Sequence, residues 1–243
     1  MPWNYGRQEW WKKMLASVGS VWVHDSSPLR PYALLTNVNP DSKKRRISNA
    51  YFDGAKLAEH PKLLHRAAVD LIDQLSRSER EQVDIACGSP FGSITLAYAV
   101  AYALSEPSKR MRHNPECLAW FTEPGEGKEL LLKRFGPPHG RKALVVDDAF
   151  TTGGTSERSA AALERDGAVV MPIFLYIINR PGIEELNGRR IISLVGKMPE
   201  ARVWDEGENP FTSDGTELVP PVRPKYSWAE LTAPYANVDT QPR

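Results

Sequence analysis

A chain of 243 residues, 41% hydrophobic and 25% charged, has the make-up of one α/β domain with additions rather than a fibre or a low-complexity chain. A net charge of +1 argues against nucleic acid as a partner, so any anionic ligand needs a locally built site. No run approaches the length of a membrane span, and the charged N-terminus MPWNYGRQEWWKKML lacks the apolar centre of a signal peptide, so neither membrane nor export is expected.

The chain begins with a predicted helix from Arg7 to about Val18, in which Trp10, Trp11, Met14, Leu15 and Val18 recur at helical spacing and Gly19 supplies the stop. Tyr32–Thr36 and Ser48–Asp53 read as short strands, with the basic turn Asp41–Arg46 between them. His60 and Pro61 open a helix whose apolar face is Leu63, Leu64, Ala67, Ala68, Leu71 and Leu75. Val83–Gly88 is a predicted strand, Ser89–Ser93 a loop, Ile94–Leu104 a helix and Cys117–Thr122 another strand. The two cysteines, Cys87 and Cys117, sit in apolar strand-like settings without zinc spacing, which predicts buried reduced thiols and a cytoplasmic protein.

A Gly-rich turn, EPGEG, leads to Glu129–Phe135. A strand ending in Asp147 and Asp148 follows, then a helix over Ser156–Arg165 and the apolar strands Ala168–Asn179 and Arg190–Gly196. Strands that are continuously apolar and alternate with helices predict a mainly parallel sheet covered on both faces. Residues 1–198 form this domain, and 199–243 read as an irregular Pro-rich extension held by Phe211 and Trp228.

The densest signal is ALVVDDAFTTGGTS, Ala143–Ser156. In a parallel sheet, ligands bind beyond the carboxyl ends of strands. The Thr/Gly loop feeds a helix N-terminus, whose unpaired N–H groups and partial positive charge hold a phosphate. Two carboxylates beside it would repel that phosphate, yet they suit hydroxyl donors or a divalent cation. A ribose 5-phosphate satisfies both demands. Two other phosphate loops fail on spacing: Gly127-Lys128 is followed by Glu129 with Thr122 in place of the first P-loop glycine, and Gly125-x-Gly127 is followed by Leu130 in place of the third dinucleotide glycine. For a bare DD…GG pattern the alternative is a capped helix with solvated acids.

The same run resembles the ribose-phosphate signature of type I phosphoribosyltransferases. The wider chain is most similar to the orotate members of that family. The resemblance implies that fold, with a small N-terminal hood, and transfer of a phosphoribosyl group from phosphoribosyl pyrophosphate to orotate with Mg²⁺, in a homodimer. Other readings are a type I enzyme for a purine base and a non-catalytic phosphoribosyl pyrophosphate sensor.

By resemblance Asp147 and Asp148 contact the ribose hydroxyls and offer oxygens near Mg²⁺, while Ala149, Phe150, Thr151, Thr152, Gly153, Gly154 and Thr155 form the phosphate loop. Ser89, Phe91, Gly92 and Ser93 match the pyrophosphate loop, with Gly92 where many members carry a lysine, so that backbone N–H groups and Ser93 would meet the ligand. A plain strand-to-helix turn fits those residues as well. Tyr51, Phe52 and Thr151 match base-side positions, Tyr51 and Phe52 being equally suited to a core. Arg180, in YIINRPG, matches an arginine beside orotate, and a guanidinium grips a carboxylate with two parallel hydrogen bonds. Lys43 aligns with a catalytic lysine of the family, and Arg134 is an available cation near pyrophosphate; solvated surface charges are the alternative for both.

Overall fold

The computed structural model describes residues 5–25, 30–39, 41–106, 117–209, 212–213, 216–217 and 219–232. The chain forms two compact units, Met1–Ser20 with Asp53–Met198, and Val21–Phe52 with Pro199–Arg243.

The first unit is built on a six-stranded sheet in the order Glu185–Leu186, Arg189–Val195, Val169–Asn179, Lys142–Phe150, Ile85–Gly88, Leu118–Phe121. Every pairing is parallel except that of the short edge strand Glu185–Leu186. Side chains alternate across a strand, and here both faces are covered. Ala143 and Val145 join Ala160 and Leu163 of helix Gly154–Arg165 in one cluster, while Leu144 and Val146 point the other way and are equally buried. Burial on both faces explains the near-continuous apolar strands.

Local signals set the helix ends. In the helix Tyr5–Ser17, Trp11 and Leu15 are fully buried and Gly19 terminates the element at φ +70°. The expected stripe is narrower than its spacing suggests, because Trp10 is exposed and Met14 and Val18 are only half-buried. Trp11 is instead held by its indole N–H, which donates to the buried Asp70 at 3.0 Å. Asp70 lies on helix Pro61–Ile72 and also accepts from Arg7 and Arg66. The helix Arg77–Gln82 was not read from apolar spacing. Its signal is a capping box, Ser76 bonded reciprocally with Glu79.

In the second unit, Arg45–Ser48 pairs antiparallel with Ala33–Val38 on one side and with Val203–Asp205 on the other. Ala50–Phe52 pairs antiparallel with Val21–Val23. The single strand expected over Ser48–Asp53 is therefore two strands in different sheets, and Arg45 and Arg46, expected in a turn, begin the first of them. The break has a local cause. Ser48 Oγ donates to Ala50 O at 2.8 Å and accepts from Ala50 N at 3.1 Å, and the Asn49 side chain accepts from Arg202 N and donates to Glu200 O.

Residues 199–243 also depart from the expected irregular extension to a 1–198 domain. They contribute the strand Val203–Asp205 and the helix Pro224–Thr232 and share a unit with Val21–Phe52. Trp204 packs on Tyr32, Leu34 and Ile47, while Trp228 and Leu231 pack with Trp22, Ala33 and Tyr51. Aromatic contacts across the sheet outweighed a composition rich in Pro and Gly. Phe211 lies outside the described residues. No helix among the described residues is long and apolar enough to cross a membrane.

Candidate functional site

The strand Lys142–Phe150 carries both acids and runs on through Ala149 and Phe150. Its neighbours place Tyr176 opposite Asp147 and Gly88 opposite Val146. The loops after Gly88 and Phe150, and the turn after Asn179, thus leave the sheet at its carboxyl edge, where such sheets hold ligands.

The two acids differ. Asp147 is buried, and its Oδ1 accepts from the Asp148 N–H at 3.0 Å and lies 3.3 Å from Ser93 Oγ. Its Oδ2 accepts from Ser156 Oγ at 3.0 Å, and Ser156 in turn accepts from the Tyr176 hydroxyl at 2.7 Å. Three of the roughly four acceptor positions of a carboxylate are thereby used inside the protein. Burial, with the Asp148 charge adding to it, pushes the Asp147 pKa up to about 7. Asp148 is half-buried. Burial raises its pKa too, and Asp53 adds a like charge, against an opposing hydrogen bond from Ala149.

Asp148 also has room made for it. A Cβ built on Gly54 would lie 2.6 Å from its Oδ2, and one on Gly92 would be closer still. These two glycines form a slot that no other residue fits without displacing the carboxylate.

The Thr/Gly loop turns on Gly153, which has φ +75° and is the N-cap of helix Gly154–Arg165. A Cβ there would meet Leu186 and, at 2.6 Å, Phe150. Gly153 brings no side chain to the first-turn N–H groups, which keeps them available to an anion. Thr151 and Thr152 are exposed in front of them, while Gly154 and Thr155 are half-buried. Phe150 offers the loop only its backbone, since its ring is buried edge-on to Tyr176 at 5.1 Å.

In the second loop Phe91 is exposed, and the peptide between Pro90 and Phe91 is cis. The hydroxyl expected to meet pyrophosphate is turned inward: Ser93 Oγ donates to Ser89 O at 2.6 Å and is buried. Ser89 Oγ is buried as well, 3.1 Å from Ser159 Oγ, which lies 2.9 Å from Thr122 Oγ1. With Pro90 lacking an N–H and Ser89 N–H bonded to Val146 O, the amides of Phe91, Gly92 and Ser93 are the donors this loop has left.

Arg180 follows the strand Val169–Asn179, and its N–H donates to Phe150 O at 3.1 Å. Asn179 closes the turn that carries it, accepting from Gly182 N and donating to Ile183 O. Gly182 has φ +70° and its missing Cβ would lie 2.5 Å from that of Lys197. Burial lowers the Arg180 pKa, which marks a guanidinium held partly out of water. Arg134 is exposed and ion-paired with Glu123 at 3.1 Å. Lys43, Tyr51 and Phe52 belong to the second unit. Lys43 has φ 59° in a turn closed by hydrogen bonds between Asn39 and both Lys43 and Lys44. Tyr51 packs against Trp228 with ring centroids 6.0 Å apart, and Phe52 is half-buried opposite Val21.

Sequence reading missed Ser156, Ser159, Tyr176 and Arg158, whose Nη2 donates to Thr155 Oγ1 at 3.3 Å. Ser156 and Ser159 stand three apart on an otherwise alanine-rich helix face, which is the signal that could have found them. Among the described residues no cluster of three or more His, Cys, Asp and Glu side chains could hold a metal by itself. Asp148 is the carboxylate with oxygens to spare, and a hard cation held by one carboxylate, ligand oxygens and water fits it.

No family model matches the chain. Over 191 residues it is 30% identical to the orotate phosphoribosyltransferase of Campylobacter jejuni subsp. doylei, covering 72% of this chain and 85% of that relative. Over 183 residues it is 28% identical to the orotate phosphoribosyltransferase of Nitratiruptor sp., covering 70% and 84%. The fold is that of the Aeropyrum pernix orotate phosphoribosyltransferase crystal structure, with a TM-score of 0.51 at 24% identity over 76% of this chain and 93% of that one. Leishmania donovani UMP synthase gives a TM-score of 0.53 at 19% identity, over 80% of this chain and 37% of that one.

Proposed function

Because the chain belongs to the type I phosphoribosyltransferase family and is most similar to its orotate members, we propose that it makes orotidine 5′-phosphate from orotate and phosphoribosyl pyrophosphate. Orotate N1 attacks the anomeric carbon, the bond from that carbon to the pyrophosphate oxygen breaks, and the N1 proton passes to solvent. Catalysis then rests on alignment and on stabilising charge that separates in the transition state.

The first-turn N–H groups of helix Gly154–Arg165, with Thr151, Thr152 and Thr155, take the 5′-phosphate. Asp148 takes the ribose hydroxyls, with Asp147 behind it. The amides of Phe91, Gly92 and Ser93 meet pyrophosphate, and by the resemblance Arg134 is the cation assigned to the departing group. Mg²⁺, when bound, neutralises pyrophosphate, and Asp148 is the residue to hold it beside ligand oxygens. Arg180 grips the orotate carboxylate; this rests on the resemblance.

The observation that carries the choice of base is Arg180 itself, whose guanidinium is partly buried and whose backbone N–H ties it to the end of the acidic strand. A purine has no carboxylate for it. The test is pyrophosphate release with phosphoribosyl pyrophosphate, Mg²⁺ and a panel of bases, run beside Arg180→Ala. Orotate-dependent release that survives Arg180→Ala removes the support for orotate. A second reading, a phosphoribosyl pyrophosphate sensor, draws on Gly92 at the position of the family lysine. Thermal stabilisation by phosphoribosyl pyrophosphate without release from any base would favour it.

A further inference from the structure

The two loops that the proposed function assigns to pyrophosphate and phosphate are joined beneath the surface by a chain of buried side chains. The chain runs from the Tyr176 hydroxyl to Ser156 Oγ (2.7 Å), to Asp147 Oδ2 (3.0 Å), and from Asp147 Oδ1 to Ser93 Oγ (3.3 Å). It continues from Ser93 Oγ to Ser89 O (2.6 Å), and Ser89 Oγ reaches Ser159 Oγ (3.1 Å) on the same helix as Ser156. Ser159 ends the chain on Thr122 Oγ1, beyond the strand Leu118–Phe121. The side chains of Tyr176, Ser156, Ser159, Ser93, Ser89 and Thr122 are buried to within a few per cent.

A ring of bonds thus closes between the helix and the loop, once through Asp147 and once through Ser89 and Ser159. Ser156 stands in the helix's first turn, the turn whose N–H groups face the phosphate. An ordinary helix uses a polar first-turn side chain for its own cap. Here it is spent on Asp147. Buried, fully partnered networks of this kind rigidify what they join, and a missing member leaves others unsatisfied.

We propose that Ser93, Ser156 and Tyr176 are positioning residues: through Asp147 they hold the 89–93 loop and the phosphate-binding helix turn at one separation, so that both ends of the ligand depend on every link. This rests on the phosphoribosyl reading of the two loops. A purely local role for each serine predicts something different, since Ser156 belongs to the helix turn and Ser93 to the loop.

The experiment is calorimetric titration of the purified full chain with ribose 5-phosphate and, separately, with inorganic pyrophosphate and Mg²⁺. Wild type is compared with Ser156→Ala, Ser93→Ala and the double variant. We expect each single variant to weaken both ligands by about tenfold, the scale of one broken link in a buried network. Because both act through Asp147, the double variant should resemble the worse single one rather than reach about a hundredfold. Tyr176→Phe, which keeps the ring's volume, should weaken both by about threefold and guards against a serine variant that fails to fold. If Ser156→Ala weakens only ribose 5-phosphate, and Ser93→Ala only pyrophosphate, the linkage is wrong while the phosphoribosyl site stands. If wild type binds neither ligand, the site reading falls and the linkage with it.

Discussion

Asp148 Oδ2 occupies the space that a Cβ atom on Gly92 would need. The glycine in the second loop is therefore a requirement of the carboxylate, and a lysine cannot be restored there without moving Asp148. Gly92→Ala and Gly92→Lys should each lower kcat/KM for phosphoribosyl pyrophosphate by about a hundredfold, the usual effect of an ångström-scale misplacement. Gly54→Ala, with its Cβ at 2.6 Å from the same oxygen, should act in the same direction. Steady-state kinetics check this, with melting temperatures to show that the variants are folded. Activity unchanged in Gly92→Lys would mean that Asp148 is not held where the reaction needs it.

Arg180 tests the choice of base. A lysine cannot reproduce a planar two-pronged grip. Arg180→Lys should therefore lose about as much orotate kcat/KM as Arg180→Ala, roughly two to three orders of magnitude for a charge partner withdrawn from a desolvated site. KM for phosphoribosyl pyrophosphate should change little in either variant. Equal losses for both substrates would place Arg180 in the fold rather than at the base.

Asp147 gives a stability prediction with a definite sign. Its pKa in the folded protein, about 7, lies above the ordinary 3.8 of the unfolded chain. The folded state then binds more protons between these values, so stability is fully present below pH ~4 and is lost as pH rises through about 7. In the metal-free protein with chelator present, the melting temperature should fall by several degrees between pH 5.5 and 8.5, at roughly 3 °C per kcal/mol for a chain of this size. Asp147→Asn should flatten that fall. A melting temperature that rises over this range in wild type would contradict the burial of an unpaired charge.

The C-terminal segment offers a contrast between packing and charge. Asp205 accepts from the half-buried Asn39 Nδ2 at 2.9 Å and from the exposed Ser42 hydroxyl, and Lys44 pairs with Glu208 at 2.7 Å on exposed surface. Exposed ion pairs contribute little, because solvent screens them and ordering two long side chains costs entropy. Trp204, edge-on to Tyr32 at 5.6 Å and packed with Leu34 and Ile47, should contribute more. Trp204→Ala should destabilise by about 2–3 kcal/mol in urea denaturation, and Asp205→Ala by clearly less. The reverse order would mean that charge, not packing, holds residues 199–243.

Much of the first unit was legible in the sequence because its strands are apolar on both faces and its Thr/Gly loop is part of a contiguous motif. The strand that carries Asp147 and Asp148 and the turn before the next helix could be read from the sequence pattern. That Asp147 turns inward could not, because its partners Ser93 and Ser156, and the Tyr176 hydroxyl that donates to Ser156, come from three separate segments that only the fold brings together. The second unit was harder to read for a similar reason. Val203–Asp205 is a strand because Arg45–Ser48 lies beside it, and no local propensity in a Pro- and Gly-rich stretch announces that partnership. Ser48 and Asn49 divided an apparently continuous strand through side-chain bonds to backbone that hydrophobic pattern does not encode.

The central claim is transfer to orotate, and product identification tests it most directly. The purified chain, incubated with phosphoribosyl pyrophosphate, Mg²⁺ and orotate, should release pyrophosphate and form orotidine 5′-phosphate in equal amounts. Neither product should form when orotate is omitted or when Asp148→Asn replaces the wild type. Release that requires a purine instead of orotate, or no release with any base, would contradict it.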